Sequence, residues 1–359
     1  MNRRQFIRSS IGADVSLSAG IALADTALAD HALIETLGRK EANTIVSPLY
    51  PSIMQTTTHD TLKPSVLHES ERWVTVHISE RVRVHALRSG WVQVRPPHRE
   101  HTGIEALRLP SILLSNQWAE KLPVWMWLIE HPDGTFLVDT GENTHVHEPN
   151  YFGDAKGDAW VNRRILQLDI PPEEELVSHL QRLGIAENKI DAVILTHGHL
   201  DHTDGLRFLP TPEILFPKTE WEKPFGVAKT TFPSWLKPRF ITHDSRTALG
   251  EISANDNPFQ SAHRIASGLY TIPTPGHTLG HQSVLLIENG TAYCFAGDVS
   301  FTEKQLLAGG VAGICVSPDA ARETYSRFKT LAGRIPLVYM PSHDAESAQR
   351  LQKNSMLFV

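Results

Sequence analysis

Six consecutive residues, His197-Gly198-His199-Leu200-Asp201-His202, carry three imidazoles and a carboxylate. Ahead of them runs Asp191-Ala-Val-Ile-Leu-Thr196, a continuous apolar stretch that reads as a strand buried on both faces. In extended chain, residues i and i+2 point the same way, so His197 and His199 can converge on one ion. Once the chain turns, Asp201 and His202 project to a neighbouring point and can hold a second. Imidazole suits zinc, and carboxylate suits zinc or harder ions. The chemistry on offer is that of bound metal.

Loop histidines are usually solvated, and the chain has 19 of them. Four further segments lift this cluster above that background. Leu137-Val-Asp139-Thr-Gly141 closes a strand upstream. Thr274-Pro-Gly-His277-Thr-Leu-Gly-His281-Gln-Ser283 lies downstream, Phe295-Ala-Gly-Asp298 ends another strand, and Pro341-Ser-His343-Asp344 follows a short one. Each polar residue stands at a strand end, where a sheet edge gathers loops around one cleft. His98, His101, His145 and His147 read better as solvated loop residues than as a rim for that cleft.

The elements that must position these segments follow from periodicity. Trp73–Val94 alternates apolar and polar residues, as half-buried strands do. Val124–Glu130 and Thr135–Asp139 pair around Pro132-Asp133-Gly134, with Trp125 and Trp127 on one face, available to a core or a pocket. A helix is expected to start at Pro171-Pro172 with Glu173–Glu175 in its first turn, and to stop at Gly184. Further strands are Gly268–Ile272, Gln282–Glu288, Thr291–Ala296 and Leu337–Met340, the middle two joined by the hairpin signal Asn289-Gly290. Pro318–Leu331 reads as a helix. The result is a layered α/β domain.

Composition bounds the rest. In 359 residues, 41% are hydrophobic, enough for a sizeable core. A net charge of −6 argues against a nucleic-acid partner, which would want a basic face. Two cysteines, Cys294 and Cys315, cannot build a disulfide framework and read as small buried hydrophobes. Residues 1–29 read as an export signal: Arg3-Arg4 and Phe6 resemble a twin-arginine start, and Ala22-Leu23-Ala24 and Ala27-Leu28-Ala29 offer cleavage sites. That predicts a periplasmic or secreted protein, or a cytoplasmic one if the signal is not used. Residues 30–72 read as an arm or partial cap, and 73–359 as the catalytic domain. No other stretch is apolar enough for a transmembrane segment.

The ordered set of motifs, from about residue 73 to 345, resembles the five motifs of the metallo-β-lactamase fold superfamily. The resemblance implies a four-layer αββα sandwich. It implies His197, His199 and His277 on one metal, Asp201, His202 and His343 on the second, and Asp298 bridging the two. Asp139 would hold a ligand imidazole from behind. Two Zn²⁺, or another divalent metal, would lie about 3.5–4 Å apart and acidify a shared water to a bridging hydroxide. Asp201 and Asp298 are then the catalytic carboxylates, with Asp298 carrying a proton to the leaving alkoxide.

Spacing narrows the group. The interval from Asp298 to His343 is too short for a nuclease insertion, and the few residues after His343 leave no room for the helical domain of glyoxalase II-like thioesterases. A bridging Asp298 and the absence of a Cys ligand depart from true β-lactamases. The segments around His277 and Asp298 are most similar to the N-acyl-homoserine lactone lactonases, which implies a small-molecule substrate, opening of a lactone or a related ester, and a homodimer by analogy. That group commonly has tyrosine three residues after the bridging Asp. This chain has Phe301, which cannot donate a hydrogen bond. Phe301 is a candidate substrate contact, and His281 reads as a structural residue of its loop, with substrate contact the lesser alternative. Rival readings are a hydrolase of the same fold for organophosphate or aryl xenobiotic substrates, and an iron-dependent persulfide-type oxygenase.

Overall fold

The computed structural model describes residues 72–153 and 156–359. The expected export signal and, but for Arg72, the arm lie outside them.

Two sheets form. The first contains β1 (Trp73–His77), β2 (Arg83–Val94), β3 (Leu122–His131), β4 (Gly134–Val138), β5 (Leu166–Asp169), β6 (Ala192–Ile194), β7 (Glu213–Pro217) and β8 (Arg239–Ile241). Its order is β1-β2-β3-β4-β6-β7-β8, with β5 paired to β2. The second contains β9 (His263–Ala266), β10 (Leu269–Pro273), β11 (Gln282–Glu288), β12 (Thr291–Gly297) and β13 (Leu337–Pro341), in the order β13-β12-β11-β10-β9. Hairpins keep neighbours antiparallel; at the β11–β12 turn Asn289 and Gly290 both take positive φ, 50° and 75°.

Parallel pairs decide where the chemistry goes. β4 runs parallel to β6, and β12 parallel to β13. A parallel pair needs a crossover, here including the helices Leu176–Leu183 and Pro318–Ala332. Both strands of each pair therefore release their chain at the same end. Asp139 and His197 leave β4 and β6 side by side, and Asp298 and His343 leave β12 and β13.

Alternation along the strands builds the layers. Trp125, Trp127 and Ile129 of β3 face Val284, Leu286, Tyr293, Phe295, Val338 and Met340 of the second sheet. On the opposite face of β3, Met126 and Leu128 pack with Leu176 and Leu180 of a helix. Leu285, Cys294 and Tyr339 meet Tyr325, Phe328 and Leu331 of the helix Pro318–Ala332. Helix, sheet, sheet and helix stack as the expected αββα sandwich. Trp125 and Trp127 thus belong to the core between the sheets, and both cysteines are buried and free.

The helix expected from Pro171 forms differently. Pro172–Glu174 makes a single 3₁₀ turn, Glu175 is extended, and the α-helix is Leu176–Leu183, capped by Gly184 at φ 69°. The cause is Glu174, whose carboxylate turns inward to take Arg88 Nε and Nη2, each at 2.8 Å. Both side chains are nearly sealed, 4% exposed for Arg88 and 2% for Glu174. Pairing a buried guanidinium outweighs the small benefit of an acid at a helix start. Replacing Glu174 with Ala strands the Arg88 charge, and we expect a loss of about 3–5 kcal/mol, read from denaturant unfolding.

Candidate metal centre

Seven side chains meet at the strand ends in two sets. His197, His199, His277 and Asp298 form one, and Asp201, His202 and His343 the other; within each, the ligand atoms lie within 4.8 Å of one another. In the first, His199 Nδ1 stands 2.9 Å from both His197 Nε2 and His277 Nε2. Asp298 Oδ2 lies 3.4 Å from His277 Nε2. In the second, His343 Nε2 is 3.2 Å from Asp201 Oδ2. Asp298 Oδ1 lies 3.3 Å from both His202 Nε2 and His343 Nε2. The two oxygens of Asp298 thus face different sets. Ligand atoms ~3.3 Å apart are what metal–ligand bonds of ~2.0–2.1 Å at tetrahedral angles produce.

The fit to cations rests on more than spacing. His202 Nε2 and Asp298 Oδ1 are buried and have no hydrogen-bond partner. Burial opposes charge on His343, yet Asp298 and Asp201 outweigh it and lift its pKa to about 10. Burial is likewise outweighed at His202, which is raised well above its usual value by Asp201, Asp298 and Asp139. His197 and His277 go the other way, held well below by burial and by neighbouring imidazoles. The carboxylates call for positive charge, and ring nitrogens turned on one another cannot all be donors. Divalent cations would satisfy both demands.

Each imidazole is fixed by its other nitrogen. His343 Nδ1 donates to Pro123 O at 2.9 Å and His277 Nδ1 to Ile314 O at 3.0 Å. His199 is reversed: its Nε2 donates to Phe225 O at 2.9 Å, which leaves Nδ1 for the cluster. Asp139 Oδ2 takes His202 Nδ1 at 2.8 Å and the Thr196 hydroxyl at 2.9 Å, while its Oδ1 takes Thr196 N. Such partners set the ring angle and tautomer.

Two supports were not legible as such. Glu220 is fully buried and accepts from Gly198 N, Gly280 N and the Thr278 hydroxyl, tying the His197–His202 loop to the His277 loop. Its only sequence signal is an acid within a short amphipathic helix. Asp204, two residues beyond His202, accepts from Asn143, Tyr151 and Arg207, and burial lifts its pKa to about 6.

His281 does not line the cavity, so it takes the structural place in its loop rather than the alternative of a substrate contact. The Ser283 hydroxyl donates to Ala296 O, so the Thr274 hydroxyl donates to Ser283 and accepts from His281 Nδ1. His281 Nε2 then accepts Asp298 N–H at 3.0 Å. Its ring positions the backbone of Asp298. Gly297, at φ 62°, lets that approach happen, because a Cβ there would lie 2.7 Å from His281 Nε2.

The cavity over the cluster encloses about 920 Å³ including its mouth, walled by Val92, Val94, Val161, Ile165, Phe225 and Ile314. Phe301 lines it, its ring 5.4 Å from that of His343. His98 lines it too and is buried, contrary to the solvated role expected. Burial, then His199 and His343, hold its pKa down to about 3, so the ring is neutral. His101, His145 and His147 stand away from this cavity.

A two-sheet αββα sandwich with paired His/Asp donor sets at one end defines a class of metal-dependent protein. The chain belongs to the metallo-β-lactamase superfamily, whose family model matches residues 119–343. It is 25% identical over 249 residues to N-acyl homoserine lactonase AiiA of Bacillus thuringiensis subsp. kurstaki, a match spanning 69% of this chain and 89% of the relative. It is also 25% identical to N-acyl homoserine lactonase AttM of Rhizobium johnstonii, over 65% of this chain and 86% of that one. Among solved structures, an N-acyl homoserine lactone hydrolase with N-hexanoyl-L-homoserine at its catalytic metal centre superposes with a TM-score of 0.58 at 20% identity, covering 77% of this chain and 96% of that one. AidC, a dizinc quorum-quenching lactonase, gives 0.51 at 16%, covering 76% and 90%. At such identities these two structures speak for the fold.

Asp139→Asn removes the charge that holds His202. We expect affinity for the ion at that set to fall about 10–100-fold while the fold persists, measured by competition with a chromophoric chelator.

Proposed function

We propose that the protein is a dinuclear metal hydrolase that opens a lactone ring of the N-acyl-homoserine lactone type. The observation that carries this is the division of Asp298 between two donor sets, at the floor of a cavity whose walls are largely apolar. His197, His199, His277 and Asp298 would hold one ion, and Asp201, His202, His343 and Asp298 the other, zinc being the metal the donors suit best. Bound there, two such ions supply an acidified water and a Lewis acid for an ester carbonyl.

The chain's own residues do the remainder. Val92, Val94, Val161, Ile165 and Ile314 give an acyl chain an apolar wall and keep bulk water from the reacting carbon. Asp298 lines the cavity, where it can pass a proton to the leaving alkoxide. The relatives' names, N-acyl homoserine lactonase, support the substrate class. Residues 1–29 would export the protein; N-terminal sequencing of periplasmic material should begin near Ala29, and a start at Met1 would refute it.

A panel of acyl-homoserine lactones, simple lactones, aryl esters and phosphotriesters on metal-replete protein tests the activity. We expect lactone turnover, two ions per chain by elemental analysis, and activity at background in His199→Ala and Asp298→Asn. Turnover of aryl esters or phosphotriesters with none on lactones would sink the lactone assignment.

A further inference from the structure

Resting on the ester-hydrolysis reading, we propose that His98 is the hydrogen-bond donor to the substrate's carbonyl oxygen, in the role that Phe301 cannot fill. No protein group takes either ring nitrogen of His98 among the described residues, and Nδ1 is shut away from solvent. The residue is 6% exposed and lines the cavity, so Nε2 is the nitrogen the cavity can reach. A buried polar ring without a partner costs stability unless something that binds later completes it.

Its placement is built in. The His98 ring stands edge-on to Phe301, centroids 6.0 Å apart, and Phe301 in turn neighbours His343. The backbone of His98 is pinned on both sides, its N–H to Arg95 O at 2.8 Å and its carbonyl to Gly313 N at 2.7 Å. Gly313 permits this, since a Cβ there would fall 1.8 Å from Pro97 O. The next residue, Ile314, holds His277 through its carbonyl, and Val316 N donates to His277 O at 3.1 Å. One loop thus sets both a candidate metal ligand and His98. Every other polar side chain lining the cavity belongs to the donor sets, apart from Asn162, which has its own interaction.

With Nδ1 unprotonated, Nε2–H faces the substrate. The neutral ring donates without giving up its proton, so charge on the carbonyl oxygen is met as it grows and no bond is made or broken at His98.

The test uses the full-length, metal-loaded enzyme and an ester that the wild type turns over. In His98→Phe we expect kcat to fall about 10²-fold with KM little changed. Ion content and melting temperature should hold. Adding Phe301→Tyr to that variant should restore most of the loss by returning a donor. His98→Ala, with and without Phe301→Tyr, replaces the pair should His98→Phe fail to fold. Unchanged kcat, loss of ions, or failure of Phe301→Tyr to rescue would each overturn the proposal while leaving the lactone reading intact. A wild type inert to lactones but active on an aryl ester overturns the lactone reading, and His98 is then judged on the aryl ester. A wild type inert to every ester overturns both.

Discussion

Crowding of like groups governs this molecule. Five imidazoles and two carboxylates are gathered into two sets, within each of which the ligand atoms lie within 4.8 Å of one another, mostly out of water, although ring nitrogens repel and buried carboxylates resist ionisation. Without cations such an array is costly, and the nearby carboxylates raise the pKa of His202 and His343 against burial. Much of the surrounding structure resists the spreading that this repulsion favours.

The restraint is distributed. Hydrogen bonds from Pro123, Ile314, Phe225 and Asp139 hold four rings from behind. Glu220 stitches two ligand loops together through backbone amides, and the relay from Ala296 through Ser283, Thr274 and His281 ends on the amide of Asp298. These bonds join loops from different sheets, so the geometry depends on the sandwich being closed. The core between the sheets, with Trp127 and Phe295 at 5.3 Å, is what closes it.

The donor residues were legible because they are clustered and stand at strand ends, where alternation stops and histidines or aspartates begin. Asp298 and His343 could be located from Phe295-Ala-Gly-Asp298 and from the buried strand before Pro341. The supports were harder. Glu220 sits among charged neighbours, and nothing local shows that it alone turns inward. Glu174 illustrates the same problem, because its partner Arg88 is far away in sequence and the pair breaks a helix that local acids favour. His98 reads locally as a loop histidine because the residues it meets, Phe301 and Gly313, are distant in sequence. β8 and β9, edge strands of three and four residues, carry too few residues for a period to emerge. Local pattern reveals what local spacing determines, and long-range pairs escape it.

Each donor set draws on both sheets: His197, His199, Asp201 and His202 follow β6, whereas His277, Asp298 and His343 follow β10, β12 and β13. An ion held at either point would therefore be a cross-brace. The unfolded chain cannot assemble such a set, so binding energy becomes folding energy, worth about 4 kcal/mol when free ion exceeds Kd a thousandfold. Metal supply and mechanical integrity are then one variable: a cell or medium short of the ion would hold a looser sandwich as well as a silent one.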